Sequence, residues 1–540
     1  MVAWRARVKE VAGQVPWAAD AYQAWFARGR PPSNGYALPR LEAALGSWTS
    51  AVDRARPDSH SDRARRVLVL GFLPWWLEFS VALGLLLASR GVEVDLAFLP
   101  YRRWTVPVDP FDASRQRAYL RSLLRTTGRT IIDLSRPSTE PLPEELARLI
   151  ARLSFTDVEY TLQREAPDVE RDGQAGRLWA LRRARNHAAA ANALRLFRTS
   201  RYDSVVIPNG SILEFGAVYH AARYRGLTTV TYEFGEQRER VWICRNGEAM
   251  RLETAELWEA RGDIPLTPDE HRRIEDLVRA RQRGVEYQQF ARLWQRGQRQ
   301  GSQGLRQALG LDASRPVVLL ATNVVGDSLA LNRQIFTEGM ADWLSRTLQL
   351  LANRSDVQTI VRVHPGELLG AGMTSEQVVR DTLPDVPPHV RLIPPESKVN
   401  TYDLIETAHL GLVYTSTAGL EMAMHGVPVI TAGRTHYRSK GFTDDPETFA
   451  DYVATLTRRL DEPAGRRLRA DQIDLAWRYA HRFFFEYPFP FPWHLLHFWK
   501  DMEASPLEAL AQAGGAEAYR EALDVMAGAP VDWGQHARRA

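Results

Sequence analysis

Two stretches in the second half of the chain bring together residue types that can hold a phosphorylated group while a bond to it breaks. In the first, Thr359 to Glu367 (TIVRVHPGE), Ile360, Val361 and Val363 make a strand-like apolar run around Arg362, and His364, Pro365 and Gly366 must stop it. A histidine at the carboxyl end of a strand stands where open α/β sheets bind their ligands. The plainer alternative is a structural histidine that caps the turn. In the second stretch, Leu412 to Gly433 (LVYTSTAGLEMAMHGVPVITAG), a buried strand delivers Thr415, Ser416 and Thr417 onto a turn that contains Gly419. Free backbone N–H groups and the dipole at the start of the following helix favour a phosphate there, and hydroxyls can add hydrogen bonds to it. Glu421, one helical turn on, is placed to reach a ribose diol. The alternative is that Ser416 and Thr417 only cap the helix. Asn323, Arg362 and Pro365 complete the expected substrate-binding set, and no DxD-like pair or His/Cys cluster with ligand spacing calls for a metal.

Groups that sit at strand ends need a sheet of parallel strands, and the rest of the sequence supplies one twice. Its 540 residues, 45% hydrophobic and 25% charged, are enough for several cores, roughly two to four domains. The balance of 69 basic against 65 acidic residues lacks the strong basic excess of a nucleic-acid-binding protein. Val67 to Ala88 is apolar over nearly the length of a membrane span, but Gly71, Pro74 and Glu78 break it. It reads better as a strand (Val67 to Leu70), a turn, and a helix from about Trp76 to Arg90, followed by the strand VEVDLAFL. YDSVVIPNG, ILEFGAVYHAARYRG and LTTVTYEFGE repeat the strand, helix, strand order. Between them, Arg-rich stretches such as LWALRRARNHAAAANALRLF read as solvated helix faces with apolar stripes. A second α/β series runs from RPVVLLATNV through VQTIVRVHP, VRLIPPES and LGLVYTS to VPVIT. The expected division is a helical extension (1–65), a Rossmann-like acceptor domain (66–295) with a helical insert at about 110–200, a linker (296–314), a Rossmann-like nucleotide-binding domain (315–470), and a crossing segment with a helical tail (471–540).

The second half, with RVHPGE, TYDLIE, LVYTSTAGLEMAMHGVPVI and THYRSKGFT, resembles the capsular polysaccharide biosynthesis glycosyltransferases, the group that includes bacterial Kdo transferases. More loosely it is similar to bacterial sialyltransferases that carry a His-Pro motif. The resemblance covers about residues 315–452. It implies an α/β fold of the GT-B-like kind, two Rossmann-like domains facing a central cleft. It also implies a nucleotide-sugar donor, often CMP-linked, bound without metal or other cofactor, and a polysaccharide or lipid-linked acceptor. It gives His364 a phosphate-contacting or acid role, Ser416 and Thr417 the hydroxyl pair beside it, and Glu421 the ribose. A carboxylate of the first domain would be the base. Glu233 in YEFGEQ is the choice, with Glu236 in reserve and Glu78 and Glu214 left open.

Two other readings share these residues: a transferase of glycerol phosphate or another group from a CDP-linked donor, and a non-catalytic nucleotide-binding subunit of a polysaccharide assembly complex. The single cysteine, Cys244, fits a reducing cytoplasm and a buried core position. Residues 1–20 lack the pattern of a signal peptide. The aromatic segment Tyr479 to Asp501 is expected to pack between domains, with peripheral contact at the inner membrane surface as the functional alternative.

Overall fold

The computed structural model describes residues 21–22, 36–56, 65–288, 290, 297–370, 372–462 and 467–536. The expectations for residues 1–20 lie outside them. Of the N-terminal extension, a helix at Pro39–Ala55 is described.

Seven strands form the first sheet: β1 (Arg66–Phe72), β2 (Glu93–Leu99), β3 (Thr130–Asp133), β4 (Ser204–Pro208), β5 (Thr229–Glu233), β6 (Arg240–Arg245) and β12 (Phe489–Pro490). Their order is β12-β6-β5-β4-β1-β2-β3. The second sheet holds β7 (Val317–Ala321), β8 (Gln358–Arg362), β9 (Val390–Ile393), β10 (Leu410–Val413) and β11 (Val429–Thr431), in the order β11-β10-β7-β8-β9. Five strands of each sheet therefore follow the same 3-2-1-4-5 winding, all parallel. The cause is visible in the residues. Strands such as VLVL and VVLL are buried on both faces, as parallel strands between helical layers must be. The expected GT-B-like architecture, two Rossmann-like halves facing a cleft, is the one the chain adopts.

The apolar stretch after β1 becomes the helix Pro74–Ser89, thirteen of whose residues are buried. It lies under the helix Pro39–Ala55 and against β1 and β2. Among the described residues no helix is long and apolar enough to cross a membrane.

Two expectations about the insert need correction: it is not wholly helical, because β3 lies within it and pairs with β2, and its arginines are not all on solvated faces. Its helices Glu144–Leu162 and Gly173–Thr199 pack together, but the Arg-rich stretch does not lie wholly on a solvated face. Arg182 is 0% exposed, held by Asp157 at 3.1 Å and Glu214 at 2.7 Å, and Asn186 donates to the same Asp157 at 2.7 Å. Buried carboxylates supplied by two neighbouring helices make this inward arginine tolerable.

The two halves meet on either side of the cavity between them. On one side, the end of the helix Glu144–Leu162 reaches across to the second half. Met373 N–H donates to the Gln163 carbonyl at 3.0 Å, and the Glu165 carboxylate accepts from Met340 N–H at 3.0 Å and Ala341 N–H at 2.8 Å, capping the helix Met340–Ala352. Close approach demands glycine at the receiving positions: a Cβ on Gly326 would lie 2.7 Å from Gln163 Cα, and one on Gly372 2.4 Å from the Gln163 carbonyl oxygen. On the other side, the helix Ala470–His481 packs on the helix Ala418–Met424, a π-helical turn follows at Arg482–Glu486, and β12 then pairs antiparallel with β6. The rings of Phe485, Tyr487, Phe489, Phe491 and Trp493 are each at most 2% exposed, so these five rings pack in the core, as expected.

Candidate functional site

A cavity of about 730 Å³ opens between the halves. From the second half, the ends of β7, β8 and β10 deliver Asn323, Arg362, His364, Pro365, Thr415, Ser416, Thr417 and Glu421 to its wall. Eight of the residues expected from sequence thus stand in one place. Two do not. Gly419 is buried away from the cavity, and a Cβ there would lie 2.2 Å from the Tyr437 hydroxyl, so its smallness serves packing. Glu233 does not line the cavity, although the next three residues, Phe234, Gly235 and Glu236, do.

At the end of β8, His364 starts a short 3-10 turn, Pro365–Leu369, and its Nδ1 accepts the Gly366 N–H at 2.9 Å. An accepting Nδ1 leaves the proton on Nε2. The capping alternative is therefore true of one ring nitrogen, while the ring itself lines the cavity. Arg362 is 5% exposed, donates to the Pro394 carbonyl at 2.7 Å, and has no partner for Nε among the described residues. Burial pulls it down to about 10, with Glu396 offsetting little. Asn323 fixes the β10 turn by accepting Thr415 N–H at 3.2 Å, and the Thr415 hydroxyl donates to the Leu329 carbonyl at 3.1 Å. Ser416 Oγ accepts Ala418 N–H at a long 3.4 Å, and Thr417 makes no side-chain cap. The helix that follows has seven residues, too few for its dipole to add much. The charge at this end of the cavity comes from Arg362.

Glu421 accepts from the Tyr402 hydroxyl at 2.8 Å and from Arg281 at 3.0 Å. Arg281 also pairs with Glu236 and lies 4.4 Å from the centre of the Phe484 ring. Burial alone would lower its pKa, but the two carboxylates override this and raise it. Sequence reasoning missed Arg281, because a single arginine in a charged helix, Pro268–Arg283, carries no local signal.

Of the four candidate bases, Glu214 is consumed by Arg182, and Glu78 accepts from the Trp499 indole at 2.9 Å outside the cavity. Glu236 is paired with Arg281. Glu233 keeps only neutral partners, Asn209 Nδ2 at 2.8 Å and Phe234 N–H at 3.0 Å, and burial pushes its carboxyl up to about 7. The nearby ring of Tyr160, which lines the cavity, feels its charge.

Aromatic rings make much of the remaining wall: Trp104, Tyr160, Phe234 and Trp242 from the first half, Tyr287 and Phe290 after the helix Pro268–Arg283, and Phe483 and Phe484 from the crossing segment. Cys244 is buried elsewhere, its thiol pushed up to about 12 by desolvation. Among the described residues the grouping closest to a metal-ligand set is Glu270, His481 and Glu486. It lies outside the cavity, and Arg261 and Arg482 already pair with both carboxylates.

Two doubly wound sheets face each other across a cleft, and it is at strand ends of this kind that open α/β sheets bind their ligands. Residues 271–464 match the family model described as capsule polysaccharide biosynthesis protein. The match takes in Arg281, Arg362, His364 and Glu421 and leaves out Glu233. No curated protein sequence matches the chain. Among solved structures, the Thermosulfurimonas dismutans KpsC beta Kdo 2,4 transferase is similar at 17% identity and a TM-score of 0.36, over 61% of this chain and 88% of that one. The beta Kdo 2,7 transferase of the same KpsC is similar at 13% and 0.31, over 53% and 79%. The UDP-GlcNAc 2-epimerase of Neisseria meningitidis reaches 12% and 0.26, over 78% and 99%. Scores this low do not equate two folds.

Proposed function

We propose that the protein is a glycosyltransferase of surface polysaccharide synthesis, which moves a sugar from a nucleotide-sugar donor to a polysaccharide or lipid-linked acceptor. The observation that carries this is Arg362: a buried cation with no carboxylate within ion-pair distance among the described residues, beside His364, at the mouth of a parallel sheet. A buried charge of this kind costs free energy until an anion joins it. The donor phosphate is that anion, and the match to the capsule polysaccharide family supports the class of donor.

In this reading Arg362 and the Nε2–H of His364 stabilise the charge that grows on the phosphate as the glycosidic bond to the sugar breaks. Glu233 takes the proton of the acceptor hydroxyl as its oxygen attacks the anomeric carbon. The aromatic wall offers flat faces to sugar rings or a base. Because the chain's own cations face the phosphate, transfer is expected to survive EDTA. The CMP preference, the glycolipid acceptor and a cytoplasmic site of action belong to the same proposal.

The test is release of free nucleotide from CMP-, UDP-, GDP- and CDP-linked sugars by the wild type and by His364→Ala. Release from one nucleotide-sugar class that is lost in the variant supports the reading. Turnover of CDP-glycerol alone would replace it with phosphotransfer, and no turnover with any donor in the presence of cell-surface glycan would replace it with a binding role.

A further inference from the structure

A second cation in the cavity has the same unbalanced character as Arg362 and is not used by the reaction above. Arg333 is 7% exposed, and its guanidinium donates to the Met250 carbonyl of the first half. Among the described residues no carboxylate lies within ion-pair distance of it. Its neighbour Arg251 is paired with Glu248 at 3.3 Å, which leaves the Arg333 charge over. Burial, and after it the Arg251 charge, pulls Arg333 down to about 10. Chains rarely keep a buried guanidinium without a counter-charge unless something else supplies one.

Its surroundings are polar and open to the same cavity. Arg434 N–H donates to the Arg333 carbonyl at 2.8 Å, which fixes the loop after β11 beside it, and the Arg434 side chain is exposed at the rim. His436, two residues on, lines the cavity; its Nδ1 is bonded to the Tyr479 hydroxyl at 2.9 Å, and its Nε2 has no partner among the described residues.

We propose that Arg333, with Arg434 and His436, forms a second oxyanion subsite in the cavity that receives a phosphate or carboxylate group of a substrate. The proposal rests on the reading of the cavity as a substrate site. It is separate from the Arg362 subsite by topology. Arg362 ends β8 and is anchored to Pro394 beyond β9, whereas Arg333 is anchored to Met250 and to the loop after β11. Arg333 comes from the segment after β7, but its carbonyl is held by Arg434 in the loop after β11, and in the order β11-β10-β7-β8-β9 three inter-strand steps, roughly 14 Å at the usual spacing, separate β11 from β8. One phosphate does not span the two, so the substrates together carry a second anionic group.

The test is calorimetric titration of the full chain with inorganic phosphate. The wild type is expected to bind two phosphates, Arg333→Gln one, and Arg362→Gln one. Without phosphate, Arg333→Gln is expected to melt at the wild-type temperature or above it, because a desolvated charge has been removed. Arg434→Gln, at an exposed position, is expected to weaken the second phosphate several-fold while leaving the fold intact. A single phosphate on the wild type, two on Arg333→Gln, or a lowered melting temperature in phosphate-free Arg333→Gln would each overturn the subsite. Loss confined to the Arg362→Gln arm would instead leave the donor reading standing alone. In transfer assays, a raised KM for the donor assigns the second oxyanion to the donor, and a raised KM for the acceptor assigns it to the acceptor. If neither KM moves, the subsite is not used by the substrates.

Discussion

At the scale of single residues, His364 is bound to the fold through its backbone N–H and its Nδ1, and its ring lines the cavity. His364→Ala removes a cap on Gly366 N–H, worth about 1 kcal/mol at most for such a turn, so the variant is expected to fold. Its transfer rate is expected to fall on the order of 10²-fold or more, as when a charge-stabilising donor is lost; wild-type turnover in a folded variant would remove His364 from the reaction. Glu233 gives a pH signature. Its carboxyl is pushed up to about 7 from an ordinary 4.5, and a general base works only when ionised. The rate should climb with pH up to about 7 and level off above it, and Glu233→Gln should abolish transfer while donor affinity stays. A flat profile from pH 5 to 8 would point to another base. These two residues were legible because each closes a strand-like run. Arg281 and Arg333 were not, because their meaning comes from what the fold leaves beside them: two carboxylates in one case, none in the other.

At the scale of elements, the reach of residues 162–166 across to the second half is a clasp held by charge and backbone. Glu165 caps the helix Met340–Ala352 from outside its own half, and Glu165→Ala is expected to cost about 1 kcal/mol. The same change should speed hydrogen exchange at Met340 and Ala341, which exchange spectroscopy can read directly; unchanged exchange there would mean that the cap does not hold the clasp. The clasp also titrates. Glu159, which accepts Ala166 N–H at 3.1 Å, is pushed up to about 7 by burial, and Glu165 is raised as well. A carboxyl whose pKa is higher folded than unfolded holds its proton more tightly when folded. Its contribution therefore falls as pH rises from about 4.5 to 7. Melting temperature should drop across that window, and Glu159→Gln should flatten the slope. Strands and their glycine stops could be read from apolar runs and breakers, and so could the helix after β1. The clasp could not, because nothing local in LQREA marks a segment that will seat on glycines 160 and more residues downstream.

For the whole molecule, the parallel α/β character of both halves was legible from alternating strand and helix signals, whereas the 3-2-1-4-5 order was not, because β3 lies inside the stretch that reads as a helical insert. The aromatic segment was legible as packing, and its rings now have named neighbours: Phe79 lies 5.8 Å from Phe491, 6.3 Å from Trp493 and 5.6 Å from Phe498. Phe491→Ala or Trp493→Ala should destabilise the first half by roughly 3–5 kcal/mol, measured by denaturant unfolding, and should not change flotation with liposomes. A fully stable variant that stops floating would return those rings to a membrane role.

The pairing of β12 with β6 also bears on how the chain comes to be folded at all. Arg240 and the Pro488 carbonyl it bonds to are 248 residues apart, and at ordinary rates of translation the ribosome needs on the order of 10 to 50 seconds to make the stretch between them. For that interval the newly made first sheet has an open edge at β6 and an apolar face around Phe79 with nothing on it. The second sheet, whose strands all lie within that stretch, meets no such delay. The half made first is therefore the half finished last, and a nascent chain is most in need of a chaperone while its later half is still being translated.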